Sequence, residues 1–483
     1  MLARITLAAA AFLGALVVSP AAPATKPNIL FIAVDDLRPD LGAYGVGHAK
    51  TPALDRFAST ARVFTHHYIH VPTCGASRAA LLRGRYPTER AHISNNAIAA
   101  THAQWGDANL PAWLQRQGYR TFALGKITHY PGGRTGRHWA EGPVELPDAW
   151  ERCWIPDAPW KNAEAMMHGY ANGGARIPGK TPALETFAGG DDAYPDFWVA
   201  DEAVSTLRSL ATSERPWFFG VGFFKPHLPF VAPRKYFDLH DPAKIPAPPR
   251  YPDAEKALGW HKSGEFRGNY AHGGRDPEKD EAYARELRQA YAASVSYVDA
   301  QVGRVLAALE ALDLAKNTVV VVWGDHGFLL GEHGIWGKHC LYEGSVRSPL
   351  MIRAPGLARA GARSAAIVET VDIFPTLVDL CNLPQPQGLD GRSLRPQLAD
   401  PATPSSKPAV AFYSDGQRTI RDERWRLLAR EGVGASARQG VELFDLKADP
   451  QELREVSAAH PEVVARLLST LPKYPEPRPG AKK

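Results

Sequence analysis

The chain is poor in cysteine: four among 483 residues, at positions 74, 153, 340 and 381. That scarcity excludes a small disulfide-dense scaffold, and the spacing excludes a zinc ribbon or a CxxC redox centre. A disulfide among Cys153, Cys340 and Cys381 stays open, with Cys74 as the odd thiol. The chain also lacks a strong charge of either sign. Lys and Arg number 56 against 51 Asp and Glu, too small an excess to point to nucleic acid. There is no low-complexity block and no internal repeat. After the first two dozen residues, no apolar run is long enough to cross a bilayer. At the start, Arg4 precedes an apolar stretch over 5–18, and Ala22-Pro23-Ala24 offers a small-x-small cleavage site. Residues 1–24 are therefore expected to be a signal peptide. The mature protein is expected to be exported, periplasmic or secreted, with no membrane span after cleavage.

What the chain does have is glycine and proline, 42 and 41 residues, as expected of many shaped loops. Between the loops, short apolar runs recur, each ending in polar residues. Residues 28–34 run into Asp35-Asp36. Residues 119–124 run into Gly125-Lys126 and His129. Residues 217–223 run into Lys225-Pro226-His227, and 318–323 into Asp325-His326. Near-continuous apolar runs of this length fit strands buried on both faces. A helix is expected after Thr51, with Thr51 as its cap, Pro52 in the first turn, and Leu54, Phe57, Ala58 and Ala61 on one face. A longer one is expected over 280–312. Alternating strands and helices predict an α/β fold with a mainly parallel sheet sandwiched by helices. In such sheets ligands bind at the carboxyl ends of the strands, where all four polar clusters fall. Past a Pro/Ser-rich linker at 401–407, strand-like runs at 409–413, 425–428 and 441–444 and a helix at 461–471 predict a smaller α+β subdomain. The expected division is 25–400 for the catalytic domain and 401–483 for the C-terminal subdomain.

The pairs Asp35-Asp36 and Asp325-His326 at one sheet edge offer carboxylates that suit a hard cation such as calcium or magnesium, while the one His admits a transition metal or serves as a hydrogen-bonding neighbour. Taken singly, either pair could be a loop or helix cap. Cys74 precedes a predicted helix, at the positive end of its dipole, and Arg78 lies one turn on. A reactive or anion-binding cysteine and a buried structural one both fit that position. His66, His67 and His70 read as structural.

The segment Cys74-Gly75-Ala76-Ser77-Arg78, followed by Leu81-Leu82-Arg83-Gly84-Arg85, resembles the signature of the type I, formylglycine-dependent sulfatases. That signature is Cys-x-Pro-Ser-Arg with a later Thr-Gly-Arg; Ala76 and Arg83 depart from it. The resemblance extends through Thr51-Pro52, Asp55, Gly125-Lys126, Lys225-Pro226-His227, Gly324-Asp325-His326-Gly327, Gly331-Glu332-His333-Gly334 and Lys338. The Gly-Lys-x-x-His spacing and the Lys-Pro-His segment are most similar to the iduronate-2-sulfatase branch. The resemblance implies an alkaline-phosphatase-like fold and a Ca2+ site formed by Asp35, Asp36, Asp325 and His326. A formylglycine derived from Cys74 completes that site, made by a formylglycine-generating enzyme. It further implies that Arg78 orients the formylglycine hydrate and that Lys126 and Lys338 bind sulfate oxygens. His129 helps collapse the sulfated intermediate, and His227 protonates the leaving alcohol. The expected substrate is a sulfated saccharide. Phe328 and His339 are expected to touch it, along with loops over 132–190 and 261–275. Two alternatives remain: a phosphonate or phosphate monoester hydrolase of the same superfamily, and a non-catalytic sulfated-glycan-binding pseudoenzyme.

Overall fold

Strands Trp217–Phe223 and Thr318–Gly324 are buried at every position, as uninterrupted apolar runs require in the middle of a two-sided sheet. They flank Asn28–Val34, pairing with it in parallel on either side. The computed structural model describes residues 26–249, 261–431 and 440–475; the expected signal segment lies outside them. The central sheet has eight strands. Their spatial order is Arg363–Glu369, Arg62–Tyr68, Leu350–Arg353, Thr318–Gly324, Asn28–Val34, Trp217–Phe223, Arg120–Gly125 and Arg152–Trp154. All run parallel except Leu350–Arg353, which is antiparallel to both neighbours.

Period-2 alternation divides each central strand between two cores. Leu30, Ile32 and Val34 join Val320 and Val322 on one face, under helices Pro195–Leu210 and Glu281–Ala311. Ile29, Phe31 and Ala33 join Val319 and Val321 on the other, with Leu81, Leu114 and Leu377 from three further helices. The long helix starts as read from sequence, with Asp280 accepting from the Tyr283 N–H at 2.9 Å. The helix Pro52–Ala58 starts differently. Thr51 sits at its N-cap, but its hydroxyl donates to Asp55 instead of capping. Asp299, from the long helix, accepts the Ala53 and Leu54 N–H groups at 3.0 and 2.8 Å.

The C-terminal segment forms a four-stranded antiparallel sheet: Ala409–Tyr413, Gln417–Arg421, Trp425–Arg430 and Gly440–Asp445. Ala409, Ala411, Leu428 and Phe444 pack on Ile69, Leu329 and Ile335 of the larger layer. Val410, Phe412, Leu427 and Leu443 pack on Leu467 of helix Pro461–Thr470. Strand Gln417–Arg421 has no apolar run, so periodicity did not reveal it; its arginines are buried all the same. The open disulfide expectation is not met. All four cysteines are free thiols, three of them buried. Among the described residues, no helix is long and apolar enough to cross a membrane.

Candidate active site

Four strand ends and one helix start converge at the carboxyl edge of the sheet. Asn28–Val34 delivers Asp35 and Asp36, both fully buried. Asp36 takes a left-handed φ of 58°, a conformation Asp tolerates better than most residues. The turn lets its N–H donate to Asp325 Oδ1 at 3.0 Å, tying the two strand-end pairs together. Thr318–Gly324 delivers Asp325 and His326. His326 Nδ1 lies 3.0 Å from the Gly327 carbonyl. A proton donated there leaves the Nε2 lone pair facing inward, as in a metal-ligating imidazole. That Nε2 lies 3.2 Å from Cys74 Sγ and 3.4 Å from Asp36 Oδ1. Ligand atoms of Asp35, Cys74, Asp325 and His326 all fall within 4.8 Å of one another.

Cys74 opens the helix Cys74–Arg83, every residue of which is buried. Burial and the nearby Asp35 push its thiol well above the usual range, outweighing Lys126 and Lys338. An unmodified thiolate nucleophile is therefore disfavoured here. Gly75 packs on residue 95 so closely that a Cβ would lie 2.2 Å from the Asn95 carbonyl oxygen. The Asn95 side chain accepts the Gly75 N–H at 3.2 Å.

Three cations surround the carboxylates. Arg78 Nε donates to Asp325 Oδ2 at 3.0 Å, and its guanidinium reaches Asp35 Oδ1 at 3.3 Å and the Lys126 carbonyl. Lys126 Nζ lies 2.5 Å from Asp35 Oδ2. Lys338 Nζ lies 2.8 Å from Asp36 Oδ1 and 3.2 Å from Glu265 Oε1. Burial alone would raise Asp35, but Lys126, His227 and Arg78 hold it well below the usual carboxylate range. Burial wins at Asp36, which is raised, and at Asp325, pushed to about 7 with help from Asp35. Two of three clustered carboxyls thus remain short of positive charge.

A cleft of about 520 Å³ opens above this floor, with Cys74, His129, His227, Lys338 and His339 in its lining. His129 is buried against Tyr130 and Trp139, and its Nδ1 has no hydrogen-bond partner among the described residues. Burial and Lys126 keep its ring neutral. His227 Nδ1 lies 2.7 Å from the Leu228 carbonyl, which turns Nε2 toward the cleft. Lys225 stays below: its Nζ donates to the His227 and Pro229 carbonyls at 2.7 and 2.8 Å and so fixes the loop that carries His227. His339 stacks on Tyr413 of the C-terminal sheet at 5.8 Å.

Phe328 is not brought to the cleft. It has no exposed surface, and its ring packs 5.6 Å from Phe230 and 6.4 Å from Tyr291 in the core. An apolar ring beside a strand-end motif can turn either way, and here burial against two aromatics decides it. Six polar or aromatic lining residues were not singled out from sequence: Asn95, Trp139, His168, Arg176, Glu265 and Asn269. All but Asn95 come from the two loop regions expected to face substrate. The resemblance pointed to the regions, but not to the residues within them.

This arrangement, at the carboxyl edge of a doubly covered parallel sheet, defines the class: a hydrolase of alkaline-phosphatase-like fold. The chain belongs to the sulfatase family. The family model described as Sulfatase matches residues 27–383, and that of the N-sulphoglucosamine sulphohydrolase C-terminal region matches 331–475. Mouse (Mus musculus) iduronate 2-sulfatase is 31% identical over 403 residues, covering 74% of this chain and 69% of the relative. A sulfatase of Formosa agariphila is 28% identical over 460 residues, covering 88% and 82%. The solved structure of a phosphonate monoester hydrolase from Agrobacterium radiobacter superposes with TM-score 0.73 at 25% identity, covering 92% of this chain and 94% of that one. The protein is accordingly a sulfuric ester hydrolase.

Proposed function

We propose that the protein removes sulfate from a sulfated saccharide at a formylglycine derived from Cys74, with calcium held by Asp35, Asp36, Asp325 and His326. The observation that carries this reading is the placement of Cys74 Sγ 3.2 Å from His326 Nε2, inside the carboxylate cage and under the cleft. The similarity to a protein named iduronate 2-sulfatase supports a sulfated saccharide as substrate. Export, and maturation by a formylglycine-generating enzyme, belong to the same reading.

The donor set fits a hard divalent cation. Three carboxylates supply oxygen, His326 offers an aimed Nε2, and the raised Asp36 and Asp325 favour added positive charge. Such an ion supplies Lewis-acid stabilisation of sulfate oxygens. A hydrated formylglycine supplies two geminal hydroxyls, one to attack sulfur and one whose deprotonation releases sulfate.

The remaining work falls to the chain's own side chains. Lys126 and Lys338, fixed by Asp35 and Asp36, place two ammonium groups where sulfate oxygens gather charge. Arg78 holds Asp35 and Asp325 in place and adds positive charge beside residue 74. His129, buried and neutral, can take a proton at its unpartnered Nδ1. His227 can deliver one from Nε2 to the departing alcohol oxygen.

The test is the mass of the tryptic peptide spanning residues 63–78, from protein made with a formylglycine-generating enzyme, alongside sulfate release from a panel of sulfated saccharides. An aldehyde or its hydrate at residue 74, with turnover, is the expected result. A wholly unmodified thiol in a host that matures a control sulfatase would sink the mechanism. Chelation with EGTA is expected to abolish turnover, and calcium to restore it better than magnesium; the reverse order would replace calcium in the assignment. The phosphonate hydrolase superposition keeps one second reading open, and faster turnover of phosphonate than sulfate esters would establish it.

A further inference from the structure

Glu265 enters the cleft from helix Glu265–Asn269, and no motif marks it in the sequence. Its Oε1 lies 3.4 Å from His227 Nε2 and 3.2 Å from Lys338 Nζ. Its Oε2 is buried, with no hydrogen-bond partner among the described residues. Because Nδ1 of His227 is engaged by the Leu228 carbonyl, Nε2 is the atom that would give up a proton. Glu265 touches that same atom. The other carboxylates within 4.8 Å of the His227 ring nitrogen, Asp35 and Asp36, are already matched to Lys126 and Lys338 at 2.5 and 2.8 Å. The neighbouring His168 ring, 5.3 Å away, is kept neutral by burial and by His227. Burial disfavours a charged Glu265, yet Lys338 and His227 outweigh it and hold the carboxyl well below its usual range. An anion thus faces Nε2 before any substrate arrives.

We propose that Glu265 is a positioning residue for the His227 proton: its carboxylate holds the Nε2–H in the cleft before substrate binds and cedes it to the leaving-group oxygen as charge develops there. This rests on the proposed sulfatase mechanism. As the sulfur–oxygen bond breaks, its electron pair goes to the alcohol oxygen. The proton moves from Nε2 to that oxygen, His227 becomes neutral, and Glu265 stays a carboxylate throughout. Proton donation matters most for a poor leaving group such as a sugar hydroxyl and least for a nitrophenolate, which leaves unaided.

The experiment compares wild type, Glu265→Gln, His227→Gln and the double variant on two substrates: 4-nitrophenyl sulfate and the sulfated saccharide that wild type turns over fastest. Formylglycine content is measured for each protein. Glu265→Gln is expected to lower kcat/KM about 10- to 100-fold on the saccharide and less than about 3-fold on the nitrophenyl ester. Its effect should vanish in the His227→Gln background. Equal losses on the two substrates, or an undiminished loss in the double variant, would assign Glu265 to packing or sulfate binding and overturn the proposal. A wild type that carries formylglycine but hydrolyses neither ester would instead bring down the sulfatase mechanism, and this inference with it.

Discussion

With no exposed surface, Arg78 donates to Asp325, Asp35 and two backbone carbonyls. A planar guanidinium can satisfy these separate acceptors; an ammonium cannot. Arg78→Ala would leave two buried carboxylates facing each other without it. It is expected to cost about 3–5 kcal/mol in EGTA-treated protein, and Arg78→Lys to recover only part. Urea unfolding checks this, and a loss under about 1 kcal/mol would show that the carboxyls do not depend on the arginine. Arg78 was legible because it stands one helical turn from Cys74, inside a recognisable signature. Glu265 was not, because nothing local distinguishes it from any loop glutamate. Phe328 was misjudged for the converse reason: its neighbours in sequence form the site, while its ring joins the core.

Among the elements, strand Trp217–Phe223 illustrates how backbone approach sets the site. A Cβ on Gly222 would lie 2.1 Å from the Lys126 carbonyl oxygen and 2.6 Å from the Lys126 nitrogen. The adjacent strand therefore ends hard against it, with the Lys126 N–H donating to the Gly222 carbonyl at 2.9 Å. Gly222→Ala is expected to destabilise by about 1–3 kcal/mol, the usual cost of overpacking. It should also lower kcat/KM by displacing Lys126. Thermal melts and sulfate-release kinetics test both halves, and wild-type kinetics would show that the lysine reaches its place by another route. The strands themselves were read from their apolar runs. The cap of Pro52–Ala58 was not, since its acceptor, Asp299, lies 248 positions beyond Thr51 in the chain numbering.

Over the whole molecule, the edge of the large sheet and the C-terminal sheet meet around buried histidines. His70 lies between them: its backbone carbonyl accepts the Phe412 N–H at 2.7 Å, and its Nδ1 lies 3.0 Å from the Val410 carbonyl. His67 bonds Thr370 at 3.0 Å, and burial pushes its ring down to about 3. A histidine depressed by folding stays neutral in the native state while the unfolded chain takes up a proton below about pH 6.5. Its stabilising contribution is complete above that pH and declines as pH falls toward 3. His67 should therefore cost wild type about 2 kcal/mol between pH 7 and pH 5. Urea melts of His67→Gln should show a pH slope shallower by that amount; parallel slopes would mean that the native His67 titrates normally.

The sequence by itself determined the central strands, the polar residues at their carboxyl ends, the signature around Cys74 and the presence of a C-terminal subdomain. Each is written locally, in apolar period, spacing or contiguous motif, and an open α/β sheet converts strand ends into one shared edge. Only the tertiary structure decided that Glu265 faces His227, that Phe328 turns inward, that Asp299 caps a distant helix and that the cysteines stay apart. Those outcomes depend on which aperiodic loops pack over the edge, and long-range burial governs that packing with no local pattern to announce it.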